Sequence, residues 1–167
     1  LDCQPEWVSA VGSNGLPNDH ADVGFVTLQY PGGILGHIHV SWADPSKVRE
    51  VVVVGSDMRV AFNDIDPVEK VRVFQKGIAA TEVEASSYGE YQLLIRDGDI
   101  VSPHVQVREP LKHQVEHFLA CIASGEKPLS DGETGLQVIA CLEAIDQSIR
   151  ANGQPVALPQ KEKQVYG

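Results

Sequence analysis

The chain has 167 residues and a mass of 18.1 kDa, with 43% hydrophobic and 22% charged residues, a composition that folds as one domain of ordinary size without disulfide or metal support. Its formal charge of −10 argues against nucleic acid and anionic membrane as partners, because both need a basic face to meet phosphate. Apolar runs such as Val51–Val54 are far shorter than the ~20 residues of a membrane-spanning helix, and no charged-then-apolar segment opens the chain, so the sequence reads as soluble and cytoplasmic.

In chain order, Glu6–Gly12 and Asp22–Tyr30 carry strand residues, and Pro31-Gly32-Gly33 turns the second into Ile34–Trp42, which predicts a hairpin. Within ILGHIHVSW the alternation places Ile34, Ile38, Val40 and Trp42 on one face and Leu35, His37, His39 and Ser41 on the other. Arg49–Val54, Met58–Asn63 and Lys70–Gln75 read as further strands. Tyr91–Arg96 and Ile100–Val107 flank Asp97-Gly98-Asp99, a turn of the Asp-Gly type that predicts a second hairpin. About seven to nine mostly antiparallel strands result.

Two helices close the chain. Pro110 suits a first helical position, and Leu111, Val115, Phe118, Leu119 and Ile122 recur at helical spacing before Gly125 stops the run. Ser130-Asp131-Gly132-Glu133 spells a capping box that opens a second helix with a stripe of Leu136, Ile139, Leu142, Ile145 and Ile149, ended by Gly153. The pattern is α+β: a large, mostly antiparallel open sheet with helices packed on one face. The other face keeps Val, Ile and aromatic residues that do not belong in water, so it is expected to meet the sheet of a second copy.

Candidate chemistry is sparse. Cys3, Cys121 and Cys141 form no C-x-x-C, and the latter two fall in apolar helical patterns, as small buried hydrophobes of a reducing compartment do. Glu126-Lys127-Pro128 sits between the helix stop at Gly125 and the cap at Ser130, so it reads as a helix-to-helix connection and not as a catalytic lysine motif. His113-Gln114-Val115-Glu116-His117 matches the inverted zinc-protease spelling H-x-x-E-H, but a third ligand is needed, and the two histidines flank a stripe containing Val115 and Phe118. His37-Ile38-His39 resembles the H-x-H of cupin metal sites without the glutamate that completes it, so no metal site is assigned. Nucleophile elbow, Walker loop and strand-to-helix G-x-G-x-x-G are all missing.

The blocks DVGFVTLQYPGGILGHIHVSWADPSKVREVVVVGSDMRVAFND and EPLKHQVEHFLACIASGEKPLSDGETGLQVIACLEAIDQS resemble the C-terminal domain of the glucose-fructose oxidoreductase and inositol dehydrogenase family, Gfo/Idh/MocA. The first block is most similar to members that act on nucleotide sugars. The resemblance implies that residues 1–167 form a single substrate and oligomerisation domain lacking the family's N-terminal Rossmann domain. It further implies that NAD(P) serves the full-length family member while this chain alone binds no cofactor. The family's catalytic lysine, aspartate and histidine have no counterpart here: Glu126-Lys127-Pro128 occupies the helix-helix turn, and Leu1-Asp2-Cys3 resembles the tail of the helix that carries the other two.

The functional expectation is therefore the substrate-binding and self-associating portion of an NAD(P)-dependent oxidoreductase for a sugar or nucleotide sugar, not competent for hydride transfer alone. The alternative is a stand-alone, non-catalytic dimerising or sugar-binding module. The start at Leu1 in place of methionine fits a fragment or processed product. Substrate-facing candidates are His37, His39, Trp42, Lys47 and Arg49, the two cations being suited to a phosphate or carboxylate.

Overall fold

A computed structural model describes residues 3–17, 20–75, 98–106 and 108–159, and the backbone of 78–79 and 94–95. The Leu1-Asp2 helix tail, and the parts of the expected strands at 91–93, 96 and 107, lie outside the described residues. In chain order the elements are β1 (Trp7–Ser13), β2 (Val23–Gln29), β3 (Leu35–Ser41), β4 (Glu50–Val54), β5 (Arg59–Asn63), β6 (Val71–Phe74), β7 (Ile78–Ala79), β8 (Leu94–Ile95), β9 (Ile100–Val101), α1 (Pro110–Ser124), α2 (Gly132–Arg150) and β10 (Val156–Ala157). Every described pairing is antiparallel, so the α+β reading holds. The strands form two four-stranded sheets and a two-residue ladder. The chain divides into two compact units, Leu1–Pro45 with Gln114–Gly167, and Ser46–His113.

The first unit carries the sheet β10-β1-β2-β3. Its β2–β3 hairpin closes through a short 3-10 turn at Pro31–Gly33, with the Tyr30 N–H donating to the Ile34 carbonyl at 2.8 Å. Gly32 and Gly33 sit at φ 76° and 79°, a region that costs a side chain about 1–2 kcal/mol. Alternation along the strands sends Val8, Ala10, Val26 and Leu28 to one face, where they are buried with Ala144 and Leu158, and Ile145 and Ile149 of α2 pack against them. Burying a valine or leucine fully contributes about 1.5–3 kcal/mol, so this layer is what holds α2 on β1.

Three expectations need correction. The second helix is capped by Asp131, whose carboxylate accepts the Thr134 N–H at 2.8 Å, and not by Ser130. Its buried face runs through Ala144 and Ser148, while Leu136, Ile139 and Leu142 are more than half exposed. Along α1 the apolar positions Leu111, Val115, Phe118, Leu119 and Ile122 are likewise exposed, and the buried residue is Cys121.

The second unit carries β4-β5-β6-β9, with Ala61 buried and Val51–Val54 exposed along the outer strand. The described residues 94–95 and 100–101, expected as the two arms of one hairpin, pair with other strands, and Asp97 of the expected turn lies outside the described residues. β9 pairs with β6 through Phe74↔Ile100, and β8 pairs with β7 through Ile78↔Ile95. The Gln75 N–H donates to the Asp99 carbonyl at 2.9 Å, and a Cβ on Gly98 would collide with the Gln75 carbonyl oxygen. Close backbone approach, not a tight turn, is why glycine stands there.

Candidate functional site

The face of the first sheet opposite α2 is the most unusual surface in the described residues. Pairing of Thr27↔His37 and Phe25↔His39 puts both imidazoles beside the Phe25 ring. The His39 ring lies 4.5 Å from that ring and 11° from parallel, and the His37 ring 6.5 Å and 21°. β1 adds Ser9, Val11 and Ser13 to the same face, since Ser9, Val11 and Ser13 pair with Thr27, Phe25 and Val23. Val11, Phe25, Leu35, His37 and His39 are all exposed.

No residue of β1, β2, β3 or β10 is Asp, Glu, Lys or Arg. In a chain of net charge −10 these four strands carry no formal charge, whereas exposed edge strands commonly carry charge that prevents pairing with other chains. At one end of the face, Val11, Gly12, Ser13, Val23 and Phe25 line a shallow depression of about 170 Å³. Small-molecule sites occupy about 300–1,000 Å³. A nucleotide sugar would not be enclosed there.

The remaining candidates lie elsewhere. Trp42 follows β3 and is 84% exposed, and its backbone N–H donates to the Asp22 carbonyl at 2.7 Å. The buried Asp22 carboxylate accepts the N–H groups of Gly15 and Leu16 at 2.8 and 2.7 Å and fixes the loop between β1 and β2. Lys47 and Arg49 belong to the second unit. Both are exposed, and the Arg49 guanidinium stands 3.6 Å from the Asp64 carboxylate, which also meets Lys70 at 3.7 Å. An anion binding Arg49 would compete with Asp64. Phe25 was not among the sequence candidates, yet the alternation of DVGFVTLQY and the Pro31–Gly33 turn together place it opposite His39.

The Lys127 and His117 motifs resolve as helix-turn chemistry. Lys127 Nζ donates to Asp131 at 2.7 Å and lies 3.4 Å from Glu133. Hydrogen bonding to Asp131, then to Glu133, raises the Lys127 pKa, and the same bond from Lys127, followed by Thr134, lowers that of Asp131. His117 Nε2 accepts the Leu129 N–H at 3.1 Å, with the Cys121 sulfur 3.6 Å away, so that nitrogen closes the turn between α1 and α2. Among the described residues no group of three or more His, Cys, Asp or Glu side chains is placed to hold a metal ion. Burial pushes the Cys141 thiol up, keeping it protonated at neutral pH. No described helix is long and apolar enough to cross a membrane.

A family profile described as "Oxidoreductase family, C-terminal alpha/beta domain", GFO_IDH_MocA_C, matches residues 4–158. No curated protein matches the chain significantly. Among solved structures, the aldose-aldose oxidoreductase from Caulobacter crescentus superposes with a TM-score of 0.68 at 19% identity, over 93% of this chain and 42% of that one. The UDP-N-acetylglucosamine 3-dehydrogenase GnnA from Acidithiobacillus ferrooxidans gives 0.71 at 17%, over 89% and 41%. The WlbA dehydrogenase from Bordetella pertussis, in complex with NADH and UDP-GlcNAcA, gives 0.61 at 18%, over 95% and 40%. The chain thus spans about two-fifths of the length of each of these structures, and at such identities the likeness is one of fold.

Proposed function

The chain belongs to the Gfo/Idh/MocA oxidoreductase family as its C-terminal α/β domain, and we propose that it supplies substrate contacts and self-association to an NAD(P)-dependent oxidoreductase of a sugar or nucleotide sugar, without transferring hydride on its own. A dinucleotide pyrophosphate is held by a glycine-rich turn between a parallel strand and a helix. The described strands pair antiparallel, and both helices follow loops that carry no such glycine pattern. The residues present do not fit NAD(P), so no chemical step is assigned to it in this chain.

The observation that carries the reading is the uncharged face formed by β1, β2 and β3. Interface cores are depleted of charge and enriched in aromatic residues, and two copies of a strongly acidic chain approach with least repulsion where neither bears carboxylates. A second copy is the occupant that gains most from this neutrality, since a basic partner would find nothing to pair with. Trp42 offers an exposed aromatic face to a sugar ring, and Lys47 and Arg49 offer charge to a phosphate or carboxylate.

The test is a pair of measurements on the purified chain. Incubation with sugar or nucleotide-sugar substrates and NAD(H) or NADP(H) is expected to give no absorbance change from hydride transfer. Light scattering is expected to give a mass above the 18.1 kDa of one chain. Cofactor-dependent turnover would overturn the first half of the reading, and a monomer the second.

A further inference from the structure

We propose that His37 and His39 make association through the β1-β2-β3 face proton-dependent, the face closing when their imidazoles are neutral and opening when they are charged. This rests on the reading of that face as a self-association surface. The two rings sit two residues apart on one strand and therefore on the same side of the sheet, both nearly parallel to the Phe25 ring.

Among the described residues of the sheet, no partner strand places a charge beside them. Opposite and diagonal neighbours on β2 are Val23, Phe25, Thr27 and Gln29, and β1 beyond them presents Ser9, Val11 and Ser13; none is titratable. When a second copy covers the face, protonation would bury adjacent like charges with no counter-ion, an expensive state that drives the group to neutrality or the interface apart. In the open state the same protonated rings keep their water, and the His39 imidazolium gains the electron-rich Phe25 face beneath it. Both effects favour dissociation at low pH. A two-fold contact doubles them, since each copy brings the same pair.

The sign separates this device from the electrostatics of the whole chain. Protonating all six histidines takes the net charge from −10 to −4, which by itself weakens repulsion between copies and tightens association on acidification. The proposed device predicts the opposite. An association that must exclude the protonated rings takes up protons on dissociation, so it weakens as pH falls.

The experiment is a sedimentation-velocity dilution series at pH 7.5 and 5.5 on the chain, on His37→Gln/His39→Gln, and on His113→Gln as a control, with circular dichroism confirming that each stays folded. The expected result is a dissociation constant at least about tenfold higher at pH 5.5 for the chain and the control, and nearly unchanged for the double variant. Tighter or equal association at pH 5.5, or the same acid weakening in the double variant, overturns the proton linkage while leaving self-association intact. A monomer at pH 7.5 overturns the self-association reading and the linkage with it.

Discussion

The Ala10 N–H on β1 donates to the Ser148 hydroxyl on α2 at 2.8 Å, across 138 residues of chain, and that hydroxyl donates to the Gln154 carbonyl at 2.7 Å. Ser148 is fully buried. β10 pairs with Trp7 and Val8 and goes no further, so beyond Val8 the edge of β1 has no strand on that side. A helix side chain takes the place of the missing backbone partner, and Ser9 Oγ does the same for the Gly153 carbonyl at 2.7 Å.

Replacing Ser148 by alanine changes little volume and leaves the Ala10 N–H and the Gln154 carbonyl without this partner. Each buried group left unsatisfied costs about 1–3 kcal/mol. Urea denaturation of Ser148→Ala should show a midpoint lowered accordingly with an unchanged slope. Ser148→Thr, which keeps the hydroxyl, should lose less unless the added methyl finds no room. A Ser148→Ala variant as stable as the parent would mean that the bridge contributes nothing.

Gly98→Ala places a methyl against the Gln75 carbonyl, whose carbon would stand 2.7 Å from it. Overpacking of this kind costs about 1–3 kcal/mol. Gly15→Ala, where an added Cβ meets nothing within 4 Å, should be nearly silent in the same thermal melt. Equal melting temperatures for the two variants would mean that the close approach of Gly98 to Gln75 imposes no constraint.

The Lys127–Asp131 pair fixes two pH limits. Asp131 is held below the usual carboxylate range, first by Lys127 and then by Thr134, so its contribution is present above the unfolded value of ~3.9 and is lost as pH falls through the folded one. Lys127 is raised by Asp131 and Glu133, so its contribution is present below ~10.4 and is lost as pH rises past the folded value. The pair lies at the surface, where water screens it, and the effect is small. Lys127→Ala should lower the melting temperature slightly at pH 7, and by less as the pH is taken below the ordinary carboxylate range. On the function proposed above, an oxidoreductase carrying this domain should keep its turnover with Lys127→Ala; abolished turnover would restore Glu126-Lys127-Pro128 as a catalytic motif.

Which parts of this structure could be read in advance follows from whether the deciding contact is local. The bounds of α1 were legible because Pro110 is pre-set for a first helical position and Gly125, at φ 74°, ends the run with its N–H on the Cys121 carbonyl at 2.9 Å. The β2–β3 hairpin was legible from proline, glycine and alternation. Ser130 and Asp131 are both cap residues, and Thr134 and Lys127 together select the aspartate. Gly98 was misread because glycine marks a tight turn and a close backbone approach alike, and only the pairing of β6 with β9 separates them. Ser148 gave no signal at all: a serine in a helix looks like a break in the apolar stripe until β1 is seen to need a hydroxyl there.

On the candidate face, His37 and His39 were legible as neighbours, and their joint contact with Phe25 needed the register of β2. Trp42, Lys47 and Arg49 were chosen for their chemistry at the end of one expected strand and along the segment that follows it. The Arg49–Asp64 ion pair depends on a residue fifteen positions later, beyond the reach of local pattern.

If the uncharged face of the first sheet joins two copies, as proposed, a charge at its middle should separate them, and light scattering of the chain beside Phe25→Glu at neutral pH reads this out. Phe25 lies across from both His39 and Val11, so a carboxylate there puts charge into the middle of the contact without touching the layer between β1 and α2. The predicted result is about twice the 18.1 kDa monomer mass for the chain and a single monomer mass for the variant, with both equally folded by circular dichroism. A chain that stays at the monomer mass, or a variant that associates as its parent does, would contradict the account.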